Sequence, residues 1–483
     1  MDIFSAHHVH LTGIKGVAMT SISQCLRDME KMVTGSDLEE DFVTQHMLRE
    51  LNIPILPFIN SQAEFEKLQT NNYQLSTPID LLIYTSAHGG PNNPEVQWAK
   101  QQNIPTLSQA EALSQLFNSK TGIAVCGVGG KSTVSAMIVW MLHQLNQYPS
   151  YSIGVGNIIG LNKTGKWDAN SQFFVAEADE YVIDPQQKPP VPRFSFLQSN
   201  IIVCTNLHFD HPDVYDDFEM TKRTFLQFFL QLKAGGILII NGDDENLVEV
   251  SKAVQRQRED IKVVTFGKNP TNMYVIDQIH FSPGISHGQL KYENEIQQLN
   301  LSLPGEFNMK NATAALVAVS KLGFPLFNAV QSISTFQSTQ RRFEFKGHKQ
   351  NVWYYDDYAH HPHEITSVIR AIKEWYPDYR CVIAFQPHTF SRTIALRKEF
   401  VQALSTAEEV VILDIFPSAR EKISDEISSD DLVSDIKKMN PKANVMNLKT
   451  IEKLTEYCLT QLKPHDVMIT LGAGDIYKVH DKI

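Results

Sequence analysis

The residues with the most chemistry to offer follow three short apolar runs. Gly127-Val128-Gly129-Gly130-Lys131-Ser132-Thr133 comes after Gly122-Ile123-Ala124-Val125-Cys126 and opens a helical pattern from Thr133 to Leu145. Glycines let backbone N–H groups converge on phosphate oxygens, and a helix N-terminus adds positive partial charge. Lys131 could reach a β- or γ-phosphate, and the Ser132 hydroxyl could ligate Mg²⁺. The loop is shorter than a full phosphate loop, because Val125 stands where the first glycine would be. Taken alone, it could also be a glycine turn with a solvated lysine, the less favoured of the two readings.

Two further clusters reinforce the first reading. Glu177-Ala178-Asp179-Glu180 follows the run Phe173–Ala176, and Asn206, His208, Asp210 and His211 follow Ile201–Cys204. An acid at the end of a strand next to a phosphate loop is where nucleotide-bound Mg²⁺ finds a carboxylate. Each residue singly could be a turn or capping residue. Together, four acids and two histidines could bind metal and orient phosphates, a chemistry of positioning and electrostatics.

Side chains so far apart in sequence need parallel strands to bring them together. Val- and Ile-rich runs alternate with amphipathic stretches, the pattern of an α/β chain. His8-Val9-His10-Leu11 leads into Gly13 and Gly16, then a helix from about Ala18 to Met29, and Leu81–Tyr84 is another strand. The central unit adds Ile237–Ile240, peripheral hairpins over about 268–300 and a helix from Asn311 to Lys321. The last unit has strands at Val352–Tyr355, Cys381–Phe385, Val410–Leu413 and Val467–Leu471. The expected fold is α/β in three domains: a Rossmann-like N-terminal domain (1–118), a central phosphate-loop ATPase with a mainly parallel sheet (119–336) and a Rossmann-like C-terminal domain (337–483).

These motifs carry a likeness. Gly127–Thr133, Glu177–Glu180 and Thr205-Asn206 with Asp210-His211 resemble the ATPase core of the Mur ligase family. Gly305-Glu306-Phe307-Asn308 with Asn311, Arg341-Arg342-Phe343-Glu344 and Asp356-Asp357-Tyr358-Ala359-His360-His361-Pro362 also match. So do Phe385-Gln386-Pro387-His388 with Ser391-Arg392-Thr393, and Leu471-Gly472-Ala473-Gly474-Asp475-Ile476. The later motifs resemble the branch of the family that joins L-alanine to UDP-N-acetylmuramate. The likeness runs in order from Val9 to Val479.

The resemblance implies an ATP- and Mg²⁺-dependent ligase of peptidoglycan precursor synthesis. It would phosphorylate the lactyl carboxylate of UDP-N-acetylmuramate, and the amine of L-alanine would attack the acyl phosphate. Carried over by position, Gly127, Gly129, Gly130, Lys131, Ser132 and Thr133 would hold the phosphates, and Ser132, Glu177 and His211 the metal. Asn308, with Asn311 nearby, would contact adenine, Asp357 the ribose and Arg342 the γ-phosphate. Gly13, Gly16 and Asp37 would hold the UDP moiety, with Ser86 also on the substrate. His360, His388 and Arg392 would line the amino-acid end, Arg392 clamping alanine's carboxylate. His360 and His211 are both eligible as base for the amine.

The sequence departs from the family in places. Val128-Gly129-Gly130 replaces Thr-His-Gly, Lys15 stands in place of glycine as a cation beside the diphosphate, and Thr389 follows His388 in place of arginine. Glu180-Tyr181 replaces Glu-Ser and resembles a related ligase that reattaches recycled tripeptide, the first alternative. Sister families carry a carboxylated lysine, for which Lys222 is a candidate by proximity. A catalytically inactive UDP-sugar binder is a second alternative. A nicotinamide oxidoreductase is a third: Asp37 lies 21 residues beyond Gly16, but Leu11 occupies the place of the fingerprint's leading glycine.

Composition agrees with a large cytoplasmic enzyme. The chain has 483 residues, 54 Asp+Glu against 43 Lys+Arg, and 42% hydrophobic residues. That length predicts about three domains. The acidic balance argues against nucleic acid as a partner, and an anionic substrate would need a locally positive pocket. The five cysteines, without C-x-x-C spacing, read as isolated buried thiols. No apolar run approaches a membrane span and no signal peptide is evident. The expected state is a monomer or weak homodimer. Single histidines such as His46, His143 and His465 read as surface or capping residues, and the acidic run from Asp425 to Asp435 as a solvated helix face.

Overall fold

The computed structural model describes residues 2–40, 42–58, 78–184, 187–209, 211, 214–282, 284–417 and 424–483. Asp210, one of the candidate acids, lies outside the described residues.

Three sheets follow one another along the chain. The first holds β1 (His8–Thr12), β2 (Met32–Asp37), β3 (Ile55–Pro57), β4 (Leu81–Tyr84) and β5 (Thr106–Ser108) in the order β3-β2-β1-β4-β5. All its pairs are parallel. The second has ten strands: β6 (Thr121–Cys126), β7 (Ser150–Ser152), β8 (Gly165–Lys166), β9 (Phe173–Glu177), β10 (Ile201–Cys204), β11 (Ile237–Asn241), β12 (Lys262–Gly267), β13 (Tyr274–Ser282), β14 (Ile285–Tyr292) and β15 (Glu295–Leu301). Its order is β15-β14-β13-β12-β11-β10-β6-β9-β7-β8. The expected peripheral hairpins over 268–300 are therefore strands that prolong this sheet. The third holds β16 (Glu344–Lys349), β17 (Val352–Asp357), β18 (Arg380–Phe385), β19 (Glu409–Leu413), β20 (Asn444–Lys449) and β21 (Asp466–Leu471) in the order β16-β17-β21-β18-β19-β20. Only β16 pairs antiparallel in it. This is the α/β architecture of mainly parallel sheets that the alternating runs predict.

Strands buried on both faces read as continuous apolar runs, and β6 illustrates why. Ile123, Ala124, Val125 and Cys126 are all fully buried, as are Ile202, Val203 and Cys204 of β10. Cys126 and Cys204 are direct register partners and share a hydrogen bond, so these two thiols are not isolated. All five cysteines are free and buried. Among the described residues, no helix is long and apolar enough to cross a membrane.

By compactness the chain falls into two units. One comprises Met1–Asp277, Gln289–Gln297 and Lys310–Phe336; the other comprises Gln278–Gly288, Gln298–Met309 and Gln337–Ile483. The first unit joins the first two sheets through the Val17–Asp28 helix. Gln24 Oε1 accepts the backbone N–H groups of Thr164 and Gly165 at 3.0 and 2.7 Å, and Asp28 accepts that of Trp167 at 3.0 Å. Gly165 must lack a side chain, since a Cβ there would sit 2.1 Å from the Ser21 carbonyl oxygen. The long helix after Gly305 runs Glu306–Lys321, beginning five residues before the expected Asn311. The acidic run ends on the Ser429–Met439 helix, where Asp435 pairs with Arg397 at 2.6 Å and Lys438 at 3.1 Å.

Candidate active site

Register fixes the site in the first unit. Val125 of β6 lies opposite Glu177 of β9, and Cys126 opposite Cys204 of β10. The three strands run parallel, so residues 127–133, Glu177–Glu180 and Thr205-Asn206 leave the sheet at one edge, where open α/β sheets bind ligands.

The loop is braced rather than loose. Gly127 has φ +121°, and a Cβ there would stand 2.3 Å from Thr205 Oγ1 and 2.9 Å from the Asn206 carbonyl oxygen. Gly130 has φ +85°, and its Cβ would stand 2.6 Å from Asn311 Oδ1. Between them, the Gly129 N–H donates to Asn206 Oδ1 at 2.9 Å, and the Gly129 carbonyl accepts Asn206 Nδ2 at 2.8 Å. Asn206 is thus a clamp on the loop, whereas its position suggested a phosphate- or metal-orienting group. The Lys131–Gln144 helix starts immediately after, aiming its first N–H groups at the same edge.

Lys131 donates to both oxygens of Glu180, at 2.9 and 2.8 Å; Glu180 is buried and Lys131 largely so. Burial opposes the ammonium's charge, but Glu180, with Asp179 and Glu177 behind it, holds its pKa above the usual lysine value. His211 Nε2 lies 3.7 Å from Glu180 Oε1, and its ring meets Tyr181 edge-on at 5.0 Å. Glu177 accepts the Gly154 N–H at 2.8 Å and the Ser132 hydroxyl. Burial pushes its carboxyl above the ordinary range, with Lys131 pulling the other way. The structure therefore brings Lys131, Ser132, Glu177 and His211 together. Among the described residues no three metal-ligating side chains converge into a ready-made ion site. Mg²⁺ keeps several waters, and the bonded pair Ser132–Glu177 has the oxygen donors it prefers.

A cleft lined by Ala18, Ser152, Gly154, Glu177, Asp179 and Arg193 runs from these acids toward the N-terminal domain. Arg193 is the functional candidate the sequence does not reveal. Its guanidinium pairs with Asp179 at 2.7 Å and donates to Ser86 Oγ at 2.5 Å. Ser86 lies 107 positions away, and only the fold makes the pair. Of the two cations near these acids, Arg193 lines the cleft and pairs with Asp179, while Lys131 pairs with Glu180.

At the end of β1, the Gly13 and Ile14 N–H groups donate to the Ser36 carbonyl at 2.8 and 3.2 Å. Gly13 has φ +70°, and a Cβ there would meet Thr85, beside Ser86, at 2.6 Å. Gly16 caps the Val17–Asp28 helix. Asp37 accepts the Lys15 and Leu38 N–H groups at 2.6 and 2.8 Å, so this buried carboxylate braces the loop. Lys15 does not stand as a cation beside a diphosphate. It is buried, and its ammonium donates to the carbonyls of Leu38 and Glu40 at 2.5 and 2.7 Å. Lys222 is likewise engaged elsewhere, pairing with Glu219 at 2.7 Å and Glu249 at 3.1 Å.

The second unit gathers Arg342, Asp357, His360 and Arg392, together with Glu364, into one electrostatic group. Glu364 was hidden in sequence as a helix-capping residue: His361 and Glu364 form the capping box of the Pro362–Trp375 helix. Arg392 donates to the His388 carbonyl at 2.8 Å, keeping these two candidates together. Burial lowers the His360 pKa, with Arg392 adding to this and Glu364 opposing, which favours a neutral ring. Asn308 is buried and donates to the Pro304 carbonyl at 2.8 Å. Gln386 ties two motifs together, donating to Asp475 and accepting the Ile476 N–H, each at 3.0 Å.

Asp357 accepts the N–H groups of Phe343 and Ala359 at 2.7 Å each. Burial pushes its carboxyl from 3.8 up to about 6, although Arg342 and those N–H groups pull it down. Between these values the folded chain holds a proton that the unfolded chain has released. Stability from this group is therefore expected to fall as pH rises through that window, by about 3 kcal/mol, and to stay level above it. Unfolding free energies of wild type and Asp357→Asn measured from pH 3.5 to 7.5 should differ in slope only there. Parallel curves would remove the shift.

Comparison with known proteins places this geometry. The chain matches the model for the Mur ligase family catalytic domain over residues 8–121, the Mur ligase middle domain over 125–319 and the Mur ligase glutamate ligase domain over 341–474. It is 34% identical to the UDP-N-acetylmuramate–L-alanine ligase of Desulfitobacterium hafniense, over 98% of each chain. The chain belongs to the Mur ligase family. A second Mur ligase, the UDP-N-acetylmuramate–L-alanine ligase of Clostridium novyi, is 33% identical over 98% of this chain and 96% of its own. Among solved Mur ligases, the crystal structure of the Thermotoga maritima UDP-N-acetylmuramate–alanine ligase superposes with a TM-score of 0.77 at 24% identity, covering 98% of this chain and 97% of that one. The murein peptide ligase of Psychrobacter arcticus superposes with a TM-score of 0.68 at 20% identity, over the same shares. These two likenesses are of fold.

Proposed function

We propose that this Mur ligase joins L-alanine to the lactyl carboxylate of UDP-N-acetylmuramate in the cytoplasm, using ATP and Mg²⁺. One observation carries the reading: Lys131, Ser132 and Glu177 share one edge of the central sheet, beside a cleft that reaches Ser86 through Arg193. The two full-length ligase relatives support the choice of substrates.

A carboxylate is a poor electrophile until one of its oxygens becomes a good leaving group. In the proposed reaction a carboxylate oxygen attacks the γ-phosphorus, ADP leaves, and the acyl phosphate forms. Lys131 and the loop N–H groups offset the charge that builds on the phosphoryl oxygens. Arg193, beside the acids, steers the acceptor's anionic groups. Ser132 and Glu177, with His211, would hold the magnesium ion, which when bound neutralises phosphate charge. The alanine amine, its proton taken by a neutral base for which His360 is suited, then attacks the acyl carbon and phosphate leaves. Asn308, Asn311, Asp357 and Arg342 are assigned to the nucleotide. Gly13, Gly16, Asp37 and Ser86 are assigned to the sugar nucleotide, with Asp37 acting through the loop it braces. Domains of 1–118, 119–336 and 337–483 divide this labour.

The test is ADP release with purified protein, ATP, Mg²⁺ and UDP-N-acetylmuramate, offered L-alanine or L-Ala-γ-D-Glu-meso-diaminopimelate. Turnover with alanine is expected; turnover with the tripeptide alone would shift the reading to the recycling ligase that Glu180-Tyr181 resembles. Arg392→Ala is expected to raise the KM for L-alanine by roughly ten- to a hundredfold, the loss of a charge-assisted hydrogen bond. The KM for ATP should stay within about twofold. An effect on ATP alone would remove Arg392 from the amino-acid end.

A further inference from the structure

The phosphate lysine is not idle. Both oxygens of Glu180 hold the Lys131 ammonium, in a pair whose side chains are 13% and 2% exposed. Glu180 takes two of the ammonium's three donors, so a nucleotide phosphate that needs more than the third competes with it. The Glu180 end is fixed from behind: its own carbonyl accepts the Tyr215 hydroxyl, and Tyr215 is buried. Asp179 cannot take the same part, because its carboxylate is committed to Arg193. Glu177 cannot either, being held by the Gly154 N–H and the Ser132 hydroxyl. The His211 ring also stands near Glu180, with Nε2 3.7 Å from Oε1.

Resting on the nucleotide reading of the loop, we infer that Glu180 is a positioning residue that docks the Lys131 ammonium and yields it to the incoming phosphates. Nucleotide binding therefore works against the Lys131–Glu180 pair. Without Glu180 the lysine is available from the start, and binding is tighter even where no metal takes part. A residue that merely supported the fold, or helped to hold the metal, would on removal weaken nucleotide binding or leave it unchanged.

The experiment is ADP titration by calorimetry in EDTA, with wild type, Glu180→Gln, Lys131→Met and the double variant, each checked for folding by thermal melting. Glu180→Gln is expected to lower the Kd for ADP roughly tenfold, the scale of one charge-assisted hydrogen bond. In the Lys131→Met background the same change should shift Kd less than about twofold. Equal tightening in both backgrounds would make the effect one of net charge and overturn the docking role. Unchanged or weaker binding by Glu180→Gln would overturn it too. If Glu180→Gln fails to fold, Glu180→Asp takes its place; its shorter reach should loosen the pair and also tighten ADP, and an unchanged Kd would count against the role. Failure of wild type to bind ADP, with or without Mg²⁺, would instead sink the nucleotide reading itself.

Discussion

Lys131→Ala should slow acyl-phosphate formation by roughly a hundred- to a thousandfold while leaving UDP-N-acetylmuramate bound nearly as tightly as before. The ammonium is the one cation rooted in the loop itself, and it sits beside the carboxylates proposed to meet the metal. Removing a preorganised charge aimed at a transition-state oxyanion costs roughly a hundred- to a thousandfold in rate. A second effect accompanies it. Glu180 would be left 2% exposed without its cation, and breaking a buried pair on one side destabilises by about 3–5 kcal/mol. Lys131→Ala with Glu180→Gln should recover most of that stability and none of the rate. Phosphate release and urea unfolding on the two variants separate these effects. Equal loss of ATP turnover and of sugar-nucleotide binding would contradict the division of labour.

Gly127→Ala should be nearly as damaging, for a different reason. The new methyl would stand 2.3 Å from Thr205 Oγ1 and 2.9 Å from the Asn206 carbonyl oxygen, and φ +121° is itself hostile to any side chain. The strain is on the order of 1–3 kcal/mol before the clash is counted. The loop must move off the strand end, and ATP turnover is expected to fall more than about a hundredfold. Gly129→Ala is the matched control. Its Cβ would lie 3.6 Å from Asn206 Nδ2, an ordinary contact, so turnover should stay within about threefold of wild type. At Gly129 this chain therefore has room for a side chain, and Asn206 fixes the loop. Similar losses at both glycines would remove the distinction.

What the sequence discloses is local. Strand, glycine turn and helix around Lys131 are contiguous, and each piece agrees with its neighbours, so the loop and its helix are legible to within two residues. Glu177 is legible because an apolar strand ends on it. The pairs that complete the site are not local. Arg193 meets Ser86 across 107 positions, and Lys131 meets Glu180 across 49. Lys15 shows the opposite failure. Its place in a glycine-bearing loop suggests a ligand contact, yet its side chain turns inward to two backbone carbonyls, which the sequence does not announce. The Glu306–Lys321 helix starts early for a related reason: apolar spacing is clearest after Asn311, while the turn at Gly305, with φ +86°, sets the true beginning.

The most direct measurement follows oxygen. With ¹⁸O in both oxygens of the lactyl carboxylate of UDP-N-acetylmuramate, the reaction proposed for the edge at Lys131 and Glu177 transfers one ¹⁸O to inorganic phosphate per amide formed. Mass spectrometry of the phosphate after turnover with ATP and L-alanine should find that single label, with ADP as the other product. Phosphate free of label, or AMP in place of ADP, would contradict phosphoryl transfer to the acceptor carboxylate at this site.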